Sequence, residues 1–285
     1  MTGVMKQLVA VSLAAVLAAA AFAASAGAKP TGEFAQFAQC EYENPEVTDC
    51  LYTVTSGGSI GIGTKTIPLV NPITLEGSYA YEEMWLRGGT NGVTLSKTPQ
   101  PVPGGIKGVT APGSWPKAVQ EWWNEGIETG LTGVNATIEL AGPTKGITNV
   151  TLSTENLLFE EGTGLGLPVK IHLENALLGS NCYFGSKAEP IQLDLTTGSS
   201  GELTGTPGEI SFNGSFTIFT LKGLRLVDET FDVQAVDGCG GIFAEYVDPL
   251  VDSIFGTPAA APENRITFEG KLQDASAEAV FKSGP

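Results

Sequence analysis

Basic residues are scarce in this sequence, and their scarcity argues against one large class of function. The chain has 15 Lys and Arg residues against 31 Asp and Glu, which gives a formal net charge of -16 at pH 7. Proteins that bind DNA or RNA neutralise phosphates with clustered cations, whereas a strongly negative field repels them. Nucleic-acid binding is therefore not expected, and solubility in an extracellular medium is the simpler reason for the charge.

Metal-binding patterns are also lacking. His172 is the single histidine, and none of the four cysteines belongs to a C-x-x-C pair. Thiolate metal sites need such closely spaced pairs, usually with further histidines. The loop over residues 58–65 lacks the G-K-[ST] ending of a phosphate-binding loop. We predict neither a metal site nor a cofactor.

Sequence motifs for catalysis are equally weak. Residues 57–61 (GGSIG) fit the G-x-S-x-G pattern of α/β-hydrolases, but the residues after them include Gly63 and Pro68 and do not predict the required helix. A hairpin turn is the better interpretation of this segment. His172 alternates with apolar neighbours on a predicted strand, so it is expected on the polar, exposed face. We predict no catalytic residue.

The first 28 residues have the features of a secretory signal peptide. Lys6 precedes an apolar run over residues 8–24, and residues 24–28 (ASAGA) contain two A-x-A cleavage sites. An uncleaved membrane anchor is the alternative, since about 20 apolar residues can span a bilayer. Cleavage after Ala28 leaves 14 basic residues against 31 acidic ones, a net charge of -17. We predict a secreted or envelope-associated bacterial protein with no transmembrane segment after cleavage.

The four cysteines all follow this segment, and an even number of cysteines in an exported chain predicts disulfide bonds. They are Cys40, Cys50, Cys182 and Cys239. Three pairings are open, of which we prefer Cys40 with Cys50 and Cys182 with Cys239.

Glycine and proline together make up 54 of 285 residues, about a fifth of the chain against an average of about 12%. Apolar and polar residues alternate in several segments, as in half-buried strands. These segments lie around residues 134–140, 169–173, 191–195, 210–218 and 266–272. Because antiparallel sheets tolerate one solvated face, we predict an all-β fold, an antiparallel β-sandwich or barrel.

Two short helices are expected beside the sheet. Residues 115–127 carry Pro116 near the start and apolar residues at helical spacing. Residues 248–255 place Asp248 as the N-cap and Pro249 in the first turn, and end at Gly256.

The mature chain, residues 29–285, is expected to form a single β-rich domain. Residues 98–116 contain five prolines and four glycines, and we interpret them as a long surface loop. A linker between two domains is the alternative, with residues 29–97 as a candidate N-terminal subdomain.

Aromatic residues supply the only candidate for ligand contact. Trp115, Trp122 and Trp123 lie close together in and beside the first predicted helix. Exposed tryptophans can stack on sugars, although tryptophan at helical spacing more often packs in a core. Since Trp122 and Trp123 are adjacent on a helix, they point in different directions and one should be partly exposed.

The C-terminal half carries a series of short blocks: Asn175, residues 178–185 (LGSNCYFG), 190–191 (PI), 195–198 (LTTG) and 238–240 (GCG). Through these blocks, about residues 165–280 resemble a group of exported actinobacterial proteins of unknown function. The resemblance supports export and the pairing of Cys182 with Cys239, and it implies no catalytic or binding residue.

Three functions are compatible with these features. The preferred one is a non-enzymatic exported protein of the envelope or extracellular space that acts as a binding or structural component. The first alternative is a carrier of a lipid or other apolar ligand inside the sheet. The second is a carbohydrate-active hydrolase with paired carboxylates, one of them with a raised pKa. The partner is unknown, and lipid and cell-wall carbohydrate are the candidates.

Overall fold

The computed structural model describes residues 29–80 and 84–284, so the predicted signal peptide lies outside the described residues. The all-β antiparallel prediction is confirmed, because one large antiparallel sheet of 13 strands dominates the structure. The strands are β1 Asp49–Ile62, β2 Lys65–Pro68, β3 Ile73–Tyr79, β4 Trp85–Gly88, β5 Gln100–Pro101, β6 Asn135–Leu140, β7 Gly146–Leu152, β8 Leu165–Glu174, β9 Tyr183–Phe184, β10 Ile191–Leu195, β11 Ser199–Ser200, β12 Leu203–Thr204, β13 Glu209–Phe212, β14 Ile218–Asp228 and β15 Arg265–Ser276. The helices are α1 Lys117–Glu128, α2 Thr154–Phe159, α3 Ala244–Phe255 and α4 Ala277–Lys282, with 3-10 turns at Gly32–Phe37 and Gly241–Phe243.

The sheet is folded over into two layers that face each other. One layer runs β13-β14-β15-β1-β3, and the sheet continues through β4-β7-β8-β6-β5, with β9 and β10 also paired to β8. Leucines from both parts, such as Leu272 of β15 and Leu167 of β8, line the same narrow space. Because β1 pairs with β15 over most of its length, residues 29–97 and the C-terminal half share one sheet.

A pair of backbone hydrogen bonds between the end of β10 and β14 joins the two layers a second time. Thr196, directly after β10, and Val227 of β14 each donate a backbone N–H to the other's carbonyl, at 3.0 and 2.9 Å. The hydrogen-bonded path then returns to its start through eight strands, β14, β15, β1, β3, β4, β7, β8 and β10. The structure thus combines the two architectures left open by the sequence, a sandwich whose layers are joined into a flattened ring.

Gly270 of β15 marks the point where the first layer bends. The register of β15 with β1 shifts between Thr55 and Gly57, and its register with β14 shifts between Lys222 and Leu224. Both irregularities lie beside Gly270, and bulges bend and twist the strands that carry them. A Cβ atom at Gly270 would lie 1.8 Å from the Val54 carbonyl oxygen, so only glycine permits this close backbone approach.

Two buried carboxylates, next to the contact between β10 and β14, bind neighbouring segments. Asp228 is fully buried and accepts hydrogen bonds from the backbone N–H groups of Asp194 at 2.7 Å and Thr230 at 2.8 Å. Glu229 is also buried, lies 2.6 Å from Arg265 Nε and accepts from the Glu202 N–H at 2.5 Å. Such charges are tolerated in the interior because each is paired or hydrogen-bonded.

Both predicted helices are present, and the second begins earlier than predicted. α1 buries Val119 and Trp123 and ends before Gly130, which has a φ of 88°. α3 starts at Ala244, so Pro249 lies inside the helix and Asp248 is not its N-cap. The Asp248 carboxylate instead accepts the backbone N–H of Cys239 at 2.7 Å. The Asp-Pro pattern resembles a helix start, but here the acidic side chain holds a neighbouring loop.

The preferred disulfide pairing is confirmed. Cys40 bonds to Cys50 and Cys182 bonds to Cys239. The first bond ties the N-terminal segment to β1, where Phe37 and Val280 pack in a small second core on the outer side of the sheet. The second bond joins the segment before β9 to the loop that leads into α3.

The hairpin-turn prediction for residues 57–61 is wrong. These residues continue β1 beyond its bulge, and the turn follows at Gly63 and Thr64. Gly58, with a φ of 106°, approaches the Thr267 carbonyl where a Cβ atom would lie only 2.0 Å away. Glycine enrichment therefore reflects close strand packing at this position, and no nucleophile elbow exists.

Replacing Gly270 by alanine should destabilise the protein. The added Cβ must displace the Val54 carbonyl or bend β15, and overpacking of this kind costs about 1–3 kcal/mol. Thermal unfolding of Gly270→Ala should show a clearly lower midpoint than wild type. Gly113→Ala is the matched control, since a Cβ there meets nothing within 4 Å; equal midpoints for the two variants would contradict the role given to Gly270.

Removal of the two disulfides should have unequal effects. The Cys182–Cys239 bond closes a loop with a sequence separation of 57, and the Cys40–Cys50 bond one of 10. The chain-entropy relation gives about 4 kcal/mol for the longer loop and about 3 kcal/mol for the shorter one. Denaturant unfolding of the two Cys→Ala pair variants would measure this, and a larger loss for the shorter loop would contradict it.

Candidate binding surface

The three candidate tryptophans lie in a packed aromatic group beside the sheet. Trp115 is 8% exposed and Trp123 is fully buried, with its indole Nε1–H donated to the Val109 carbonyl at 2.9 Å. Their ring centroids lie 6.0 Å apart in an edge arrangement. Trp122 is half-buried against Phe243, at 4.9 Å between centroids. Only Trp122 of the three keeps surface that a ligand could reach, so ligand contact by this group stays a prediction.

His172 lies on the polar face of β8, as its alternation predicted, but it is half-buried there and not exposed. Its ring stacks on Tyr183 with a centroid distance of 4.4 Å, and Lys170 Nζ lies 3.7 Å from the same tyrosine ring. Lys170 also pairs with Glu139 of β6 at 3.3 Å. His172 Nε2 is buried without a hydrogen-bond partner among the described residues. These contacts give the histidine a packing role on the surface of the sheet.

The space between the two layers is a narrow apolar slit. Its volume is about 30 Å³, and ten of its lining residues are leucines, contributed by both layers. A cavity that admits a benzene ring measures about 150 Å³ in a well-studied case. Fully buried side chains such as Leu51, Ile60 and Leu167 occupy the adjoining interior. The slit is therefore smaller than a pocket for a whole ligand, although leucine side chains could rotate to widen it.

One end of this interior is polar. Directly opposite residues in paired strands share a face, so Asp274, opposite Leu51, points to the same side as the leucines. Tyr79 donates its hydroxyl to the Asp274 carboxylate at 2.6 Å. Burial raises the pKa of Asp274 to about 7; the hydrogen bond from Tyr79 lowers it, and the neighbouring charge of Asp49 raises it. Burial also raises the pKa of Asp49.

These two acids are the pair that a hydrolase interpretation would need, and sequence spacing did not identify them. Asp49 and Asp274 lie 225 positions apart in the chain and meet only because β1 pairs with β15. Asp274 borders the leucine layers and the Tyr79 hydroxyl. Asp274 is thus a half-buried acid beside an apolar layer, and its desolvation there is the largest cause of the raised pKa.

The free edge of the sheet carries exposed apolar side chains. Ile210 and Phe212 of β13 are each 53% exposed, and Phe216, in the turn that follows, is 78% exposed with a φ of 59°. The rings of Phe212 and Phe216 lie 5.8 Å apart. We call these three residues the β13 strip. Exposed apolar groups of this kind often mark interaction sites.

The β13 strip also corrects the prediction of one continuous half-buried strand over residues 210–218. All four residues of β13 are exposed, because β13 lies at the end of the sheet where the opposite layer does not cover it. Alternation alone predicts which side chains share a face, but it cannot tell whether another layer covers that face.

No group of His, Cys, Asp and Glu side chains within residues 29–80 and 84–284 is arranged to hold a metal ion. The described helices include none that is long and apolar enough to cross a membrane. A comparison of the chain with protein-family models, curated proteins and solved structures finds no match.

The stability of the protein should depend on the titration of Asp274. An unfolded aspartate titrates near 3.8 and the folded Asp274 near 7, so the folded state holds a proton that the unfolded state has lost between these values. The free energy of unfolding therefore falls as pH rises through this window. Asp274→Asn cannot ionise, so the variant should match wild type near pH 4 and exceed it at pH 8, by up to about 4 kcal/mol.

Denaturant unfolding at both pH values measures the difference. Glu128→Gln, at an exposed carboxylate on α1, controls for the loss of one negative charge. A stability difference between Asp274→Asn and wild type that is the same at pH 4 and pH 8 would contradict the assignment.

Proposed function

We propose that this protein is a non-enzymatic, exported component of the cell envelope or extracellular space that acts by binding through its surface. Its two disulfides suggest an oxidising environment, where such bonds persist. The signal-peptide pattern of residues 1–28, outside the described residues, supports export.

Binding through the surface is best supported by a difference between the filled interior of the sheet and the exposed side chains of its edge strand, β13. Between the layers, leucines leave a slit of about 30 Å³. At the edge, Ile210, Phe212 and Phe216 expose more than half of their surface each. Since exposed aromatic and β-branched side chains contribute strongly when an interface covers them, the β13 strip is the better candidate for binding.

The surroundings of the two half-buried acids, Asp49 and Asp274, support a non-enzymatic role. A glycosidase uses two carboxylates on either side of a substrate cleft. Asp274 instead accepts from Tyr79 and shares its face with Leu51 and Leu272, which line the leucine slit. A sugar ring would have to displace this packing to reach it.

Carriage of an apolar chain is the second candidate, and the leucine slit favours it. The slit runs between layers and is lined almost entirely by apolar side chains, so it should stay dry when empty. A single alkyl chain could enter only if several leucines changed rotamer. Native mass spectrometry of the purified protein distinguishes the candidates, because a carrier should retain a lipid.

The binding role predicts that the β13 strip is needed for association with the envelope. The double variant Ile210→Ser and Phe212→Ser should lose at least about tenfold in co-sedimentation with envelope fragments from the native host, which corresponds to about 1.4 kcal/mol. Ile242→Ser is the matched control, because Ile242 is 90% exposed on a different surface. Circular dichroism should show that all variants are folded.

Two results would contradict the proposal. One is equal co-sedimentation of the strip variant and wild type. The other is turnover of a glycoside substrate above background that Asp274→Asn abolishes, since this would identify an enzyme.

A further inference from the structure

Among the described residues, β13 has one backbone edge that no other strand pairs with. Asn213 donates its N–H to the Ile218 carbonyl at 3.0 Å. This bond shows which residues of β13 turn their backbone groups toward β14. In an antiparallel pair, alternate residues turn their N–H and C=O groups toward the partner and away from it. The groups of residues 209, 211 and 213 therefore face β14, and those of Ile210 and Phe212 face outward. Within residues 29–80 and 84–284, β13 ends the strand order.

The outer edge has only part of the usual protection against pairing, because β13 is short and carries Glu209 but contains no Lys, Pro or bulge. Edge strands are commonly blocked by Lys, Pro or an inward charge. β13 has the sequence Glu-Ile-Ser-Phe, with Glu209 and Ser211 on one face and Ile210 and Phe212 on the other. An occupant should therefore supply both a strand backbone and apolar side chains on one face, and a second copy of β13 has both.

We propose that two copies of this protein pair through β13, antiparallel about a two-fold axis at Ser211. In this register Ile210 lies opposite Phe212 of the other copy, and the reverse pair follows by symmetry. The outward N–H and C=O groups of these residues then form four main-chain hydrogen bonds. Ser211 lies opposite itself, and Glu209 lies opposite Asn213. The arrangement is isologous, as in most homodimers.

Other registers fit less well. A shift of one residue would set outward-facing groups against inward-facing ones and put apolar side chains on opposite faces. A shift of two would place Gly208 opposite Phe212, and the Gly208 N–H already donates to Thr206 Oγ1 at 3.1 Å. A shift of two the other way would place Gly214, in the turn after β13, opposite Ile210. Among these registers, the one centred on Ser211 uses all the outward groups and pairs both apolar residues.

Electrostatics should make the association dependent on salt. Opposite Glu209 stands the neutral amide of Asn213, but Glu33, which accepts from that amide at 3.0 Å, brings a second carboxylate near. Each copy is also strongly negative overall, at -16 for the full sequence and -17 after cleavage. Added salt screens both repulsions, so the dimer should form more tightly at high ionic strength.

The inference rests on the proposed function in one respect, since it assigns the backbone edge of β13 to a second copy, while the face that carries Ile210 and Phe212 stays uncovered for the envelope. Sedimentation velocity of the disulfide-bonded protein at low and high salt measures the mass. The expected result is a dimer whose dissociation constant decreases with salt. Ile210→Pro removes an outward N–H that the monomer does not use, and should weaken dimerisation at least about tenfold. Ile242→Ser again serves as the control.

Cross-linking tests the register. Directly opposite residues of a non-hydrogen-bonded pair have Cα atoms about 4.5 Å apart, within the range of a disulfide. Ser211→Cys should therefore form a covalent dimer under mild oxidation, without competition from the native cysteines, which are all paired. Glu202→Cys, on an exposed loop position away from the axis, should remain monomeric.

The outcomes separate this inference from the proposed function. A monomer at all salt concentrations, or a dimer that Ile210→Pro leaves intact and Ser211→Cys fails to cross-link, overturns the inference. If that monomer still needs the β13 strip for envelope association, the proposed function stands. If it instead co-sediments with phosphatidylcholine vesicles through the strip, a lipid surface is the occupant. A cross-linked dimer without envelope association supports the inference and contradicts the function.

Discussion

The close backbone approach at Gly270 is the constraint on which this fold depends. The pairing register of β15 shifts on both of its edges, with β1 and with β14, beside Gly270. Only a residue without Cβ leaves room there for the Val54 carbonyl. The resulting bend carries β14 toward β10, where the Thr196 and Val227 pair joins the layers. The leucines from both layers lie between β10, β14 and the strands that connect them.

Much of the fold could be predicted from periodicity, because alternation reports directly on a sheet with one buried face. β6, β8, β10 and the helix α1 appear where their patterns predicted them, and α3 ends where predicted but begins four residues earlier. The errors have physical causes. The residues of Gly57–Gly61 resemble a turn because glycine also serves close strand packing, and Asp248-Pro249 resembles a cap because an acidic side chain can bind loop amides as well as helix amides.

The candidate site was less accessible to sequence reasoning. The strip residues Ile210 and Phe212 carry an ordinary strand pattern, and their exposure depends on where the opposite layer ends, which is a property of the tertiary fold. Asp49 and Asp274 meet through pairing of the first and last strands. For the tryptophans, the sequence signal was clear but the site was not. They cluster in the sequence, yet Trp115 and Trp123 are buried in the core.

The position of β15 has a consequence for how the chain folds. It lies between β1 and β14 in the middle of its layer, yet it is the last strand of the sheet to be synthesised. Until it arrives, β1 and β14 each lack a neighbour, and the contacts of β1 with β15 join residues more than 200 positions apart in the chain. Such non-local pairing slows folding and leaves strand edges exposed to aggregation. The nascent chain would benefit from a chaperone until its final strand is available.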